Sequence, residues 1–69
     1  MTPTLLRSAG EAMYGHHWQS FLARDLGVAE RSMRRWAAGT HPIPDIKAEL
    51  VELLKARRLV LSDIVRKMR

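Results

Sequence analysis

A single glycine, Gly27, stands between two short apolar stretches, and this arrangement constrains the fold more than any other feature of the chain. Before it, Trp18, Phe21, Leu22 and Leu26 recur at i, i+3, i+4 and i+8, the spacing of one helix face. Gln19, Arg24 and Asp25 fall outside that face. After it, Met33, Trp36 and Ala37 mark the inner face of a second stretch that Gly39 ends. Glu30, Arg31, Arg34 and Arg35 form its outer face. Gly27 supplies the positive φ of a tight turn, and Ala23 is small where the second helix crosses close to the first. The spacing therefore predicts helices over about 17–26 and 29–38, packed on each other through Leu22, Leu26, Val28, Met33 and Trp36.

The flanks read as helical too. A first stretch runs from Pro3 to about Met13, with Thr2 as its cap and Pro3 at the first helical position. Its apolar stripe is Leu5, Leu6, Ala9, Ala12 and Met13; Gly10 weakens it, and Tyr14-Gly15-His16 is its exit. Thr40-His41-Pro42-Ile43-Pro44 is a stiff connector, held extended by its prolines. A fourth helix starts near Pro44 or Asp45 and runs to about Arg58, with Ile46, Leu50, Leu53 and Leu54 as its stripe. A fifth, from Ser62 as cap to Lys67, presents Ile64, Val65 and Met68, unless it simply continues the fourth through Leu59-Val60-Leu61. The expected class is all-α: a compact bundle of about five short helices forming one domain over residues 1–69.

Composition narrows the function. The chain has 69 residues and no Cys, which excludes a disulfide scaffold and a thiolate metal site. A domain of this size buries only about 60% of its unfolded surface, so its stability is marginal unless it finds a partner. The net charge of +5 points to a polyanion. That charge is unevenly placed: residues 1–54 are neutral overall, and residues 55–69 carry all of it. Met1 to Arg7 lacks a basic segment followed by a long apolar one, and no apolar run exceeds Leu59-Val60-Leu61. A cytoplasmic protein without a membrane partner is expected.

The pattern Gln19, three residues, Ala23, three residues, Gly27, five residues, Met33, two residues, Trp36 resembles the helix-turn-helix of the Cro and lambda-repressor family. The Leu26-Gly27-Val28 step, the Arg35-Trp36-Ala37-Ala38-Gly39 ending and the Pro42-Ile43-Pro44 entry to the next helix are similar as well. The likeness covers roughly residues 17–46. It departs at Ala29, where the family usually places a capping Ser or Thr; the loss costs on the order of 1 kcal/mol. Glu30 in the first turn compensates in part through the helix dipole.

The resemblance implies a small transcriptional regulator of phage or mobile-element type, with double-stranded DNA as partner. The helix over 29–38 would enter the major groove, N-terminal end first, while the preceding helix crosses the backbone. Arg31, Arg34 and Arg35 are then base or phosphate readers, arginine offering a fork to guanine O6 and N7. Glu30 would accept from cytosine N4, with Ser32 as a secondary contact. Gln19 and Ser20 open the motif's first helix, where Gln19 matches the family residue that bonds a phosphate or supports base contacts. Thr40 and His41 follow the reading helix and would touch phosphates.

Plainer readings compete. The helical spacing of Trp18, Phe21, Met33 and Trp36 favours ordinary core over a base-stacking platform. His16 and His17 point about 100° apart on a helix, which argues against a shared metal ion. No Ser-His-Asp set, credible carboxylate pair or Gly-rich phosphate loop is present, so an enzyme, a cofactor or a small-molecule effector is not expected. Residues 44–69 hold more apolar side chains than one short domain buries easily; Leu50, Leu54, Leu61, Ile64, Val65 and Met68 are candidates for a homodimer seam. The alternative class is a protein-interaction module of antitoxin or phage-inhibitor type, its basic face meeting an acidic partner. A DNA-binding recombination accessory factor would use the same chemistry as the regulator.

Overall fold

A computed structural model describes all 69 residues. The chain is all-helical: α1 (Pro3–Tyr14), a single 3-10 turn (Gly15–His17), α2 (Trp18–Leu26), α3 (Glu30–Ala38) and α4 (Lys47–Met68). No helix is long and apolar enough to cross a membrane.

The helix ends follow local chemistry. Thr2 lies in extended backbone and its hydroxyl accepts from the Leu5 N–H at 3.1 Å, with Pro3 following. Gly27 and Gly39 both take the left-handed conformation, at φ 71° and 77°, and their N–H groups donate back to carbonyls of α2 and α3. Ala29 is the N-cap of α3 at φ −67° and ψ 140°, and no side chain caps that end. This backbone suits a serine. Ala29→Ser is expected to stabilise the chain by about 1 kcal/mol, raising Tm by about 4–8 °C in thermal circular dichroism.

The core is Leu6, Met13, Trp18, Leu22, Ala23, Met33 and Leu50, drawn from all four helices. Trp18 lies across α1 at Gly10: a Cβ there would stand 2.6 Å from the indole Cδ2 and 3.0 Å from Cγ. Gly10 is therefore a packing surface, not a weak point in the helix.

Four helices stand where five were expected. The two C-terminal stretches are one helix of 22 residues, since neither Gly nor Pro interrupts residues 45–69. Ser62 is mid-helix and caps nothing, while Asp63 pairs along the helix with Arg66 and with Lys67. The start is later than Pro44 or Asp45: the Ile46 N–H donates to the Pro44 carbonyl at 2.8 Å, and this turn delays α4 to Lys47. The bundle is also less compact than expected. Its radius of gyration is 13.0 Å, against about 11 Å for a compact domain of this length. The long axis of 45 Å reflects α4, whose length is about 33 Å. Only Leu50 of α4 is fully buried, so it belongs to the monomer core and is removed from the dimer candidates. Leu59, Val60, Leu61, Ile64, Val65 and Met68 are exposed.

A small aromatic and ionic cluster anchors α4. The Arg57 guanidinium sits 5.1 Å from the Tyr14 ring centroid and donates to the Met13 carbonyl at 2.6 Å, meeting the C-terminal end of α1. Tyr14 stacks on Phe21, and the Arg24 guanidinium lies 5.1 Å from the Phe21 ring centroid. Phe21 is 40% exposed, contrary to its expected place on the buried face: the buried arc of α2 is Trp18, Leu22 and Ala23, and Phe21 falls at its rim.

The Tyr14 hydroxyl donates to Asp25 Oδ2 at 2.6 Å. Burial, then this bond, pushes the phenol up to about 12, and the same bond holds the Asp25 carboxyl below its ordinary range. The folded phenol binds its proton more tightly than the unfolded one. Its contribution to stability is complete below the ordinary value of 10.0 and is lost as pH rises towards about 12. The Asp25 contribution is complete above the unfolded carboxylate range and is lost as pH falls through the depressed folded value. Tyr14 is the only tyrosine, so phenolate absorbance reads it alone. The midpoint should lie near 12 in the parent and move down in Asp25→Asn; a parent midpoint at the ordinary value would remove the bond from the solution structure.

Candidate nucleic-acid interface

The inner face of α3 is fixed by packing. Met33 is fully buried, and Trp36 and Ala37 are half-buried against the core cluster. At 100° per residue, the opposite face carries Arg31 at its centre, with Arg35 and Arg34 on either side. All three arginines are exposed.

Their surroundings differ. Arg34 Nη1 lies 3.3 Å from Glu30 Oε1, four residues back. Glu30 Oε1 also accepts from the Ser20 hydroxyl at 2.8 Å, which ties the start of α3 to α2. Ser20, Glu30 and Arg34 thus form one chain of contacts with Glu30 at its centre. Arg31 and Arg35 have no carboxylate within 4 Å. They are four residues apart on one face, an arrangement of like charges that costs the isolated helix a few tenths of a kcal/mol.

The other candidates fall at the two ends of α3. Gln19 is half-buried and lines a shallow polar cleft with His16, His17, Ser20 and Glu30 at the N-terminal end. The two histidines were missed as members of this group. The 3-10 turn that places them beside Gln19 leaves no periodic signal, and its only mark is Gly15 at φ 77°. Ser32 is half-buried, so it offers less surface than Arg31, Arg34 and Arg35. Thr40 sits past the other end, about 15 Å along the helix axis. Its N–H and hydroxyl both donate to the Arg35 carbonyl at 3.2 Å, and its hydroxyl lies 3.1 Å from His41 Nδ1. Thr40 therefore closes the end of α3, and His41 is held beside it. The structure brings Gln19, Ser20 and Glu30 together and keeps Thr40 and His41 apart from them, with the arginines between.

No three His, Asp or Glu side chains converge in a group suited to a metal ion. Comparison with protein-family models, with curated proteins and with solved structures finds no match to this chain.

Proposed function

We propose that this chain is a sequence-specific double-stranded DNA-binding regulator of transcription, a repressor that occupies an operator as a dimer. In this reading α3 enters the major groove and α2 crosses the backbone, as the resemblance to the Cro and lambda-repressor family implies. The observation that carries it is the pair Arg31 and Arg35: exposed, unpaired, and presented by a helix whose other face is locked into the core. In a solvated surface helix, two arginines four residues apart repel and neither has a partner. A guanine edge or a phosphate gives each of them a partner.

Further support comes from geometry. Ser20 and Glu30 fix α3 against α2, so the readers sit on a rigid element. Gln19 and the polar cleft lie at the end of α3 that would go first into the groove, and Thr40 and His41 lie at the other end, near the phosphates a docked helix would leave behind. Catalysis, a cofactor and a small-molecule effector have no part in this reading, and the site of action is the cytoplasm.

The test is selection of bound sequences from random duplexes, followed by titration against salt. The expected result is a recovered inverted repeat with half-sites about one helical turn apart, bound with an affinity that falls log-linearly, at about 0.9 per phosphate neutralised. Recovery of no sequence and a shallow salt dependence would favour the interaction module instead.

A further inference from the structure

Two surfaces that α3 leaves unused are complementary to each other. One is the distal half of α4, where Val60, Ile64 and Met68 are 55%, 42% and 82% exposed beside Arg66, Lys67 and Arg69. The other is a shallow groove between the end of α2 and the start of α4, lined by Asp25, Leu26, Ala48, Glu49, Glu52 and Leu53. It has an apolar floor and three carboxylates; Asp25 pairs with Arg24 and Glu52 with Lys55, which leaves Glu49 as the one without a cation. The arm is apolar and basic, and the groove is apolar and acidic.

Both surfaces share one face of α4. Glu49, Leu53, Ala56, Val60, Ile64 and Lys67 follow i, i+4, i+7, i+11, i+15 and i+18, which keeps them within about 80° of one another. Turned end for end about the middle of the helix, this row meets its own complement. Glu49 comes opposite Lys67, Leu53 opposite Ile64, and Ala56 opposite Val60. Glu49 has no cation within 4 Å in the monomer. A row that is self-complementary under a two-fold axis is what an isologous interface requires, and such an interface closes at two copies.

We infer that the occupant of the acidic groove is the distal half of α4 from a second copy of this chain, the two α4 helices running antiparallel. Each copy lends its basic arm and receives its partner's. The apolar arm that a single copy leaves in water is covered by Leu26 and Leu53, and Lys67 comes over the unpaired carboxylate of Glu49. Leu54, Leu61 and Val65 lie away from this seam, on the groove that α4 forms with Ala12 and Met13. The inference assigns a surface to the dimer of the proposed function and rests on that reading for its biological sense only; the assembly forms without DNA.

Sedimentation equilibrium at micromolar concentration, without DNA, tests it. The parent is expected to be a dimer. The ion pair occurs twice per dimer, so Glu49→Lys and Lys67→Glu should each weaken association by about tenfold or more. The combined Glu49→Lys, Lys67→Glu variant should recover parental association, and Val65→Asp should leave it unchanged, with circular dichroism confirming that every variant is folded. A monomeric parent, a double variant no better than its singles, or dissociation by Val65→Asp alone overturns the inference. Dimerisation and rescue without any DNA binding would instead sink the DNA reading and leave this interface standing.

Discussion

Arg31→Ala is expected to lose DNA binding while the fold becomes no less stable. Arg31 is at the centre of the outward face of α3 and touches no carboxylate, so its removal takes no ion pair away. It relieves the like-charge pair with Arg35 and removes a cation from the first turn of α3, where the helix dipole disfavours one; both effects are about a few tenths of a kcal/mol and both are favourable. Against duplex DNA the sign reverses. An arginine bidentate to guanine discriminates by about 1–3 kcal/mol, so specific affinity should fall by about 5- to 150-fold. Arg35→Ala should behave in the same way. Arg34→Ala should differ, because it also releases Glu30 from an ion pair on the chain that runs to Ser20. Gel shifts on the selected operator at physiological salt, beside thermal melts of the same variants, separate the cases. A lower Tm with unchanged affinity for Arg31→Ala would make the arginine structural and remove α3 from the interface.

This contrast shows which parts of the site a sequence carries openly. The arginine face was legible because it is local: three cations and an inner stripe of Met33, Trp36 and Ala37 within one short helix. The turn was legible for the same reason, since Gly27 and Gly39 are residues that take a left-handed conformation without strain. Thr2 and Pro3 mark their helix start by chemistry alone. The Ser20 to Glu30 bond was not legible. It joins two helices, and nothing in either residue's neighbours announces the other. The extent of α4 was hidden differently. Ser62 is an acceptable cap and also an acceptable mid-helix residue, and the apolar spacing runs on through Leu59-Val60-Leu61 either way. The decisive fact was an absence, that of any glycine or proline after Pro44. Phe21 was misplaced because apolar spacing gives the direction of a helix face but not the width of what it packs against. The core takes Trp18, Leu22 and Ala23 from α2 and leaves Phe21 at the edge, where Tyr14 stacks on it and Arg24 lies over it.

Gly10→Ala should destabilise the chain by about 1–3 kcal/mol, the usual cost of forcing atoms into a packed core. A rule read from sequence predicts the opposite. In mid-helix, alanine is better than glycine by roughly 0.5–1 kcal/mol, because glycine loses more backbone freedom on folding. The rule assumes room for a methyl group. Here the Trp18 ring occupies that room: Cδ2 and Cγ would stand 2.6 Å and 3.0 Å from the new Cβ, and Cε3 closer still. The indole is a rigid plane buried among Leu6, Met13 and Leu22, so it has no flexible end to swing aside. Relief must come from sliding α1 along α2, which would disturb the seat of Trp18 and the Tyr14 to Asp25 bond beyond it. Total stability for a domain of this length is about 3–10 kcal/mol, so the loss is a large share of it. Urea denaturation reads the result directly, and Trp18→Leu gives the second half of a cycle. The leucine side chain has no Cε3 and no rigid plane and can turn away from residue 10, so the penalty for Gly10→Ala should shrink in that background. Equal penalties in both backgrounds would mean that the contact between Gly10 and Trp18 does not set the distance between α1 and α2.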